Sequence, residues 1–330
     1  MPSLKNRSLL TLLDCSDAEM LSLVDLALAL KARRRAGVRG DLLHRRQIAL
    51  IFEKSSTRTR CATSVAVRDE GGSAEYLARN DIHLGGKESV PDTARVLGRM
   101  FDGILFRGFS QRVVEGLAQH ARVPVWNGLT DEYHPTQVLA DLMTIQENFG
   151  RLRGLTLAYV GDGRNNMANS LMIGCAKAGM NFVNCTPKEL MPQAALVEQT
   201  RAIAAANGAT ITIGHDPRAS VRGAHVLYTD VWVSMGEEAQ KADRLALLKP
   251  YQVNAGLVEA TGRSPGDLIF LHCLPAFHDD QTTVTQETGA LEVSDEVFEA
   301  PYSKVFDQAE NRMHTIKALM VSALADPGAA

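Results

Sequence analysis

Residues 47–68 read QIALIFEKSSTRTRCATSVAVR, and this stretch decides the fold. The apolar run from Ile48 to Phe52 predicts a buried strand, and the pattern from Cys61 to Arg68 predicts a helix. Residues 55–60, SSTRTR, therefore occupy the turn that leads from a strand into a helix. A strand followed at once by a helix is the repeating unit of parallel α/β sheets.

This turn has the chemistry of an anion site. Cations in the first turn of a helix oppose its macrodipole at a cost of about 0.3–1 kcal/mol each, so Arg58 and Arg60 favour a compensating anion. Backbone N–H groups, hydroxyls and a forked guanidinium together suit the oxygens of a phosphate. Taken alone, such a cluster is more often a solvated helix cap with two surface arginines, so the remaining segments must decide.

Composition limits the class of protein. The chain has 330 residues, which favours two domains of about 150 residues each. A net charge of -3 provides no bulk attraction for nucleic acid or for an acidic membrane. No apolar run reaches the roughly 20 residues of a membrane span, and residues 1–7 do not resemble a secretion signal. The 5 scattered cysteines form no Cys-x-x-Cys pair. We therefore expect a cytoplasmic protein that acts on a small molecule.

Strand and helix patterns alternate along the chain. The first helix, residues 20–36, follows a capping box of Ser16 and Glu19. Further helices are predicted at residues 136–148 and 307–324, the last with Asp307 and Glu310 as its cap. Strands are predicted at residues 47–52, 74–77, 102–106, 123–126, 155–160, 181–185, 210–213, 224–229 and 268–271.

These elements predict an α/β protein with two doubly wound parallel-sheet domains and an active-site cleft between them. We place the first domain at residues 1–149 and the second at residues 150–306, because residues 150–154 are rich in Gly and Arg. We expect residues 307–330 to form a C-terminal helix that returns to the first domain.

The polar clusters follow the predicted strands. In open parallel sheets, ligands bind beyond the carboxyl ends of the strands, so these clusters are candidates for one site. The clusters are residues 55–60, Arg107, Asn127, residues 161–166, Asp230, and His272 with Cys273.

Several of these residues allow more than one interpretation. Asp230 can pair with an ammonium group, although capping the next turn explains it equally well. Asn165, Asn166 and Ser170 offer uncharged donors to a carboxylate at a helix start. Gly161 and Gly163 invite a dinucleotide site, but Asn166 stands where its third glycine belongs and no acidic residue clearly replaces the ribose contact.

The remaining polar residues predict neither a metal nor a cofactor. Cys273 can be a nucleophile, yet a small wall residue is its commoner role. His278, Asp279 and Asp280 lack helical His spacing and further ligands, so we predict no metal there. Arg312 lies near the start of the last predicted helix, where its charge again favours an anion.

Together, residues 52–60, 106–108, 134–142, 161–170, 230–236, 272–275 and 306–317 resemble the aspartate/ornithine carbamoyltransferases over nearly the whole chain. STRTR at residues 56–60 and HPTQ at residues 134–137 mark these enzymes generally. DVWVSMG at residues 230–236 is similar to the ornithine-using branch.

The resemblance implies a site. Carbamoyl phosphate would be bound by Ser56, Thr57, Arg58, Thr59, His83, Arg107, His134, Gln137, Cys273, Leu274 and Arg312. Ornithine would be bound by Asn166, Asp230, Ser234 and Met235. Catalytic roles fall to Arg107, His134, Asp230, Cys273 and Arg312. His83 would reach the site of a neighbouring subunit, since the family is built from trimers.

The implied reaction is direct attack of the δ-amine of ornithine on carbamoyl phosphate, which gives citrulline and phosphate without a covalent enzyme intermediate or a cofactor. We expect a cytoplasmic homotrimer, or a multiple of trimers, in arginine biosynthesis, although the sequence does not decide in which direction the cell uses the reaction. Two other classes stay open: a dinucleotide oxidoreductase, and a non-catalytic small-molecule or regulatory module on the same fold.

Overall fold

The computed structural model describes residues 4–233 and 241–325. In chain order the longer elements are α1 (Asp17–Arg35), β1 (Gln47–Phe52), α2 (Thr57–Asp69), β2 (Ser73–Ala78), α3 (Val90–Leu97), β3 (Gly103–Arg107), α4 (Gln111–Ala121), β4 (Val125–Leu129), α5 (Pro135–Phe149), β5 (Thr156–Val160), α6 (Asn166–Ala178), β6 (Asn181–Cys185), α7 (Ala194–Ala206), β7 (Ile211–Gly214), α8 (Pro217–Ser220), β8 (Val226–Thr229), α9 (Lys241–Leu248), α10 (Ala255–Ala260), β9 (Ile269–His272), α11 (Asp295–Phe298) and α12 (Val305–Leu324).

The first sheet is parallel, with the strand order β2-β1-β3-β4. Strand β1 is central, and its residues Ile48 to Phe52 are at most 2% exposed, as expected for a strand covered on both faces. The chain runs from β1 to one side and then returns to β3 on the other side. The topological switch therefore lies between β1 and β3, where ligands bind in open α/β sheets.

The second sheet is also parallel, with the strand order β7-β6-β5-β8-β9. Its switch lies between β5 and β8, which pair side by side. The fully buried aromatic side chains Tyr159 of β5 and Tyr228 of β8 stack with their ring centroids 6.2 Å apart. The predicted α/β class with two parallel-sheet domains is confirmed.

Two compact units make up the chain, which divides after Met143 and again after Ala309. The second division falls inside α12, so the residues from Glu310 onward belong to the first unit. Lys317 of α12 donates to Asp69 Oδ2 at the end of α2 over 2.9 Å. Among residues 4–233 and 241–325, no helix combines the length and the apolarity that crossing a membrane requires.

Helix starts follow side-chain caps. The predicted capping box of Ser16 and Glu19 is present at α1. Helix α2 begins at Thr57 rather than near Cys61, because the Ser56 side chain caps it. The predicted cap of Asp307 and Glu310 is wrong, since α12 already begins at Val305 and Asp307 lies in its first turn.

Candidate active site

The turn after β1 presents the start of α2 at the switch point of the first sheet. Ser56 Oγ accepts a hydrogen bond from Thr59 N over 3.2 Å, so Ser56 is the N-cap residue. The first N–H groups of a helix have no partner within it, and the positive end of the helix dipole lies there. Arg58, half-buried, adds a full positive charge to this turn. The turn is thus electropositive and rich in donors.

Two arginines converge on one hydroxyl in the first unit. Arg107, at the end of β3, donates from Nη1 to Thr59 Oγ1 over 3.5 Å. Arg312 of α12 donates to the same oxygen from Nη2. Thr59 is fully buried, and Arg107 and Arg312 are only 9% and 3% exposed. Two forked guanidinium groups that meet at one point can donate several hydrogen bonds to an anion, so this arrangement suits an anionic ligand.

His134 lies beside these cations. It is buried, and its pKa lies well below 6.5. Burial is the largest cause, and the positive charges of Arg312, Arg107 and Arg58 lower the pKa further. The imidazole is therefore neutral at neutral pH, and a neutral ring can donate one hydrogen bond without adding charge. Thr136 Oγ1 lies 3.5 Å from His134 Nδ1.

Gln137 offers an acceptor in the same unit. Its Nε2 donates to Asp141 Oδ1 over 2.8 Å, which fixes the orientation of the amide. Its Oε1 is buried and has no hydrogen-bond partner in the part of the chain that the structure describes. Because buried polar atoms normally have a partner, this oxygen is suited to an N–H group of a ligand.

Two residues just before the SSTRTR turn hold it in place, and sequence reasoning missed both. Lys54 Nζ pairs with Asp131 Oδ1 over 2.5 Å and lies 4.3 Å from the ring centroid of Phe109. Glu53 Oε2 accepts from Phe109 N over 3.1 Å. The turns that follow β1, β3 and β4 are thereby joined. A Glu-Lys pair directly after a buried strand was the available signal.

Two sequence-based expectations change here, and a third stays untested. Arg60 lies over the ring of Tyr76, with its guanidinium carbon 3.8 Å from the centroid, so an aromatic face and not an anion offsets its charge. Arg312 lies well inside α12, so the helix-dipole argument for it is wrong. His83 is exposed, and its predicted reach to a neighbouring subunit stays a prediction.

In the second unit, Asp230 follows β8 and accepts hydrogen bonds from residues that follow β5 and β9. Asn165 caps α6 through its Oδ1 and donates from Nδ2 to Asp230 Oδ2 over 3.1 Å. Cys273 Sγ donates to Asp230 Oδ1 over 2.9 Å. Burial, and then the charge of Asp230, raise the pKa of Tyr159 well above 10, so its hydroxyl stays neutral. Asn166, the first residue of α6, lies half-buried beside this group in the sequence.

His272 shapes the turn after β9. Its Nε2 pairs with Glu292 Oε1 over 3.2 Å, and its Nδ1 accepts from Leu274 N over 2.9 Å. This fixes the proton on Nε2. Leu274 has φ of 57°, a left-handed conformation that costs about 1–2 kcal/mol for a residue with a bulky side chain. Strain of this kind is concentrated at functional sites.

Two groups of side chains in the described residues could be considered for a metal. The ligand atoms of Asp230, His272 and Cys273 lie within 4.8 Å of one another. Both nitrogens of His272 already have partners, so two ligands remain, fewer than a structural or catalytic zinc site uses. The second group, His278, Asp279 and Asp295, is partly exposed, and His278 Nδ1 pairs with Asp295 Oδ1 over 2.7 Å.

A buried ion pair supports the turn after β5. Arg244 Nη2 donates to Asp162 Oδ2 over 2.6 Å, and both side chains are at most 5% exposed. Arg244 Nε also donates to the carbonyl oxygen of Trp232 over 2.8 Å. The pair therefore joins the turn that carries Asn165 to the segment that follows Asp230.

The structure places the predicted site residues in two sets. In the first unit it brings Thr59, Arg107 and Arg312 into contact, with His134 close to their charges. In the second unit it brings Asp230 and Cys273 into contact. Ser234 and Met235 lie outside the described residues.

Two family models of known proteins match the chain. The family model "Aspartate/ornithine carbamoyltransferase, carbamoyl-P binding domain" matches residues 7–147. The model "Aspartate/ornithine carbamoyltransferase, Asp/Orn binding domain" matches residues 153–323. The chain belongs to the aspartate/ornithine carbamoyltransferase family.

Relatives within this carbamoyltransferase family match the full chain. It is 56% identical to the catabolic ornithine carbamoyltransferase of Bacillus licheniformis, and the match covers 98% of each chain. It is 55% identical to the catabolic enzyme of Enterococcus faecalis, over 97% of this chain and 96% of that one. The solved ornithine carbamoyltransferase of Pyrococcus furiosus is 41% identical with a TM-score of 0.91, over 98% of this chain and 99% of the other. The word "catabolic" in two of these names conflicts with the biosynthetic role that we expected.

Burial of neutral His134 predicts how stability depends on pH. The folded protein binds this proton less tightly than the unfolded chain does, so stability falls as the pH drops below 6.5, the ordinary pKa. In His134→Gln, we expect the free energy of unfolding to fall less steeply with decreasing pH than in the wild type, by up to about 1.4 kcal/mol per pH unit. Urea unfolding between about pH 7 and pH 5 measures it.

The control for this prediction is His44→Gln, because the His44 side chain is 59% exposed. His314, whose pKa burial lowers to about 4, remains in both variants and cancels in the comparison. Equal pH dependence of the wild type and His134→Gln would contradict the prediction.

The Asp162–Arg244 pair predicts a large loss of stability when one partner is removed. Asp162→Asn leaves a buried guanidinium without its carboxylate, so we expect a loss of about 3–5 kcal/mol in the free energy of unfolding. Asp41→Asn is the control, since the Asp41 and His44 side chains are 75% and 59% exposed and such pairs contribute about 0–1 kcal/mol. Similar urea midpoints for the two variants would contradict this account.

Proposed function

We propose that the chain transfers the carbamoyl group of carbamoyl phosphate to the δ-amine of L-ornithine, giving L-citrulline and phosphate. The observation that carries the proposal is the buried Thr59 hydroxyl, to which Arg107 and Arg312 both donate, beside neutral His134. This concentration of donors in one unit suits an anion that also carries a polar carbonyl group. The Asp230 group in the other unit suits an amino acid.

The phosphate is assigned to the start of α2. Ser56 uses its oxygen to accept from Thr59 N, which leaves its O–H free to donate to a ligand oxygen. The N–H groups of the first helical turn, the hydroxyl of Thr57 and the guanidinium of Arg58 complete the cradle. These groups stabilise the charge that the phosphate gains as it leaves.

The carbamoyl carbonyl is assigned to Arg107, His134 and Thr59. Negative charge grows on this oxygen as the amine attacks, and donors held in advance lower the barrier as in an oxyanion hole. Gln137 Oε1 accepts from the carbamoyl amino group, which needs an acceptor of this kind. Arg312, Cys273 and Leu274 are assigned to the same end of the substrate.

Ornithine is assigned to the second unit. Asp230 takes the α-ammonium group, because an ionised carboxylate has about four acceptor positions and Asn165, Val231 and Cys273 fill only some of them. Asn166 takes the α-carboxylate at the start of α6. Ser234 and Met235, from the motif DVWVSMG, are assigned to the same substrate.

The nucleophile is the neutral δ-amine, which attacks the carbamoyl carbon directly, without a covalent enzyme intermediate. An alkyl amine of this type has a pKa of about 10.4, so the rate rises with pH around neutrality. The word "catabolic" in the names of two relatives favours a catabolic rather than a biosynthetic use of the reaction. The residues serve both directions, because a catalyst lowers the same barrier from either side.

A homotrimer, with His83 completing the phosphate site of a neighbouring subunit, belongs to this proposal. Exposed His83 lies in a short loop in which its carbonyl oxygen accepts from Gly86 N over 3.0 Å. This loop leaves the imidazole accessible to another chain. Sedimentation of wild type and mixed complementation of His83 and Arg107 variants test the assembly.

The dinucleotide alternative is disfavoured by the turn after β5. Gly163 N, a donor that a pyrophosphate would require, is already used by Thr186 Oγ1 over 3.0 Å. A Cβ at Gly163 would lie 2.8 Å from Asn184 Oδ1, so close packing against β6 explains the glycine.

Detection of the ureido product with ornithine, putrescine and aspartate in parallel tests the proposed function. We expect product with ornithine alone, dependent on carbamoyl phosphate. Putrescine has no carboxylate for Asn166 to bind, and aspartate has no second amine to attack once Asp230 binds its α-ammonium group. Product from aspartate, or a carbamoyl phosphate-independent nicotinamide absorbance change, would refute the proposal.

Arg58 predicts a loss of transition-state stabilisation. We expect Arg58→Gln to lower kcat/KM for carbamoyl phosphate by about 10–100-fold, which corresponds to a charge-assisted contact of about 1.5–3 kcal/mol. Arg60→Gln removes a cation from the same helix that lies over Tyr76, and it should change kcat/KM by less than about threefold. Equal effects of the two substitutions would remove the phosphate assignment.

A further inference from the structure

A second basic site lies in the first unit, at the opposite end of α2 from Arg58. It is a cavity of about 540 Å³ beside the C-terminal ends of α1 and α2 and beside α12. The volume falls in the range of about 300–1,000 Å³ that is typical of small-molecule sites. Five basic side chains and two carboxylates line it.

The two carboxylates are used by two of the basic groups. Asp69 Oδ2 accepts from Lys317 Nζ and from Arg34 Nε, each over 2.9 Å. Glu70 Oε1 lies 3.5 Å from Lys317 Nζ, and its other oxygen accepts from the backbone N–H of Leu42 over 3.3 Å. These contacts balance the charges of Lys317 and Arg34.

Three arginines remain without an ion pair in the described residues: Arg33, Arg39 and Arg68. Arg33 and Arg68 lie in the last turns of α1 and α2, where cations offset the helix dipoles. Each helix end is equivalent to about half a negative charge, so the two ends offset about one of the three positive charges. An excess of about two positive charges is left at a concave surface.

We propose that this cavity, here called the α1/α2 cavity, is a second anion-binding site for a dianion of the phosphate class. A phosphomonoester carries about two negative charges at neutral pH, which matches the excess. One guanidinium group can donate two parallel hydrogen bonds to a phosphate group. Three such groups suit a tetrahedral phosphate better than they suit a planar carboxylate. The site does not belong to the assigned active site.

Distance along the helix separates the two anion sites. Arg58 and Arg68 are ten residues apart in α2, which corresponds to about 15 Å. Both α2 and α12 nevertheless contribute to each site, through Arg58 and Arg312 at one and Arg68 and Lys317 at the other. Anion binding in the α1/α2 cavity does not require the proposed reaction, because it depends only on the charge and shape of the cavity.

Titration calorimetry on the full chain tests this site, with inorganic phosphate and phenyl phosphate as separate probes. The background is Arg58→Gln, which weakens binding at the assigned active site. We expect saturable binding of one anion per chain that Arg39→Gln with Arg68→Gln weakens at least tenfold. The matched control, Arg99→Gln with Arg112→Gln, changes the net charge equally at exposed positions outside the cavity and should alter binding by less than twofold.

The two probes separate the possible sources of the anion. Equal binding of both supports free phosphate, and preference for phenyl phosphate supports an organic phosphomonoester. Absence of saturable binding, or equal weakening by the cavity and control substitutions, would overturn the proposal and leave solvated arginines only. Arg39 and Arg68 are both exposed, so we expect the circular dichroism spectrum of the double variant to match that of its Arg58→Gln background.

Discussion

The hydroxyl of Thr59 is the contact on which the first unit depends. It lies in the first turn of α2, and it accepts from guanidinium groups that arrive from β3 and from α12. The hydroxyl thereby holds two guanidinium groups at one point of the first unit. Forked guanidinium groups held in this way can donate several hydrogen bonds to one anionic ligand.

The second unit has a buried carboxylate where the first unit has guanidinium groups. Asp230 is buried, and donors from Asn165, Val231 and Cys273 hold its two oxygens in position. Partial satisfaction leaves room for a cation, such as the α-ammonium group proposed for ornithine. The first unit thus places guanidinium groups near the switch point of its sheet, and the second places a carboxylate near the switch point of its own.

Much of the fold could be predicted from local patterns. Strand β1 and strand β6 have the bounds that the sequence predicts, because apolar runs and turn residues act over a few positions. Candidate residues were found where polar side chains follow such strands. The Lys54–Asp131 and Asp162–Arg244 pairs could not be found in this way, since their members are 77 and 82 residues apart. The ring under Arg60 likewise belongs to a different element, the strand β2 that carries Tyr76.

The division inside α12 bears on how the chain is made. The first unit lacks Arg312 and Lys317 until the last helix has been synthesised. The ribosome therefore makes almost the whole polypeptide before that unit is complete. Domains usually fold in order from the N-terminus during translation. Here the N-terminal segment is made first, but its unit is complete only when the last segment of the chain has been made. A fragment that ends at Met143 would lack the part of α12 that belongs to this unit.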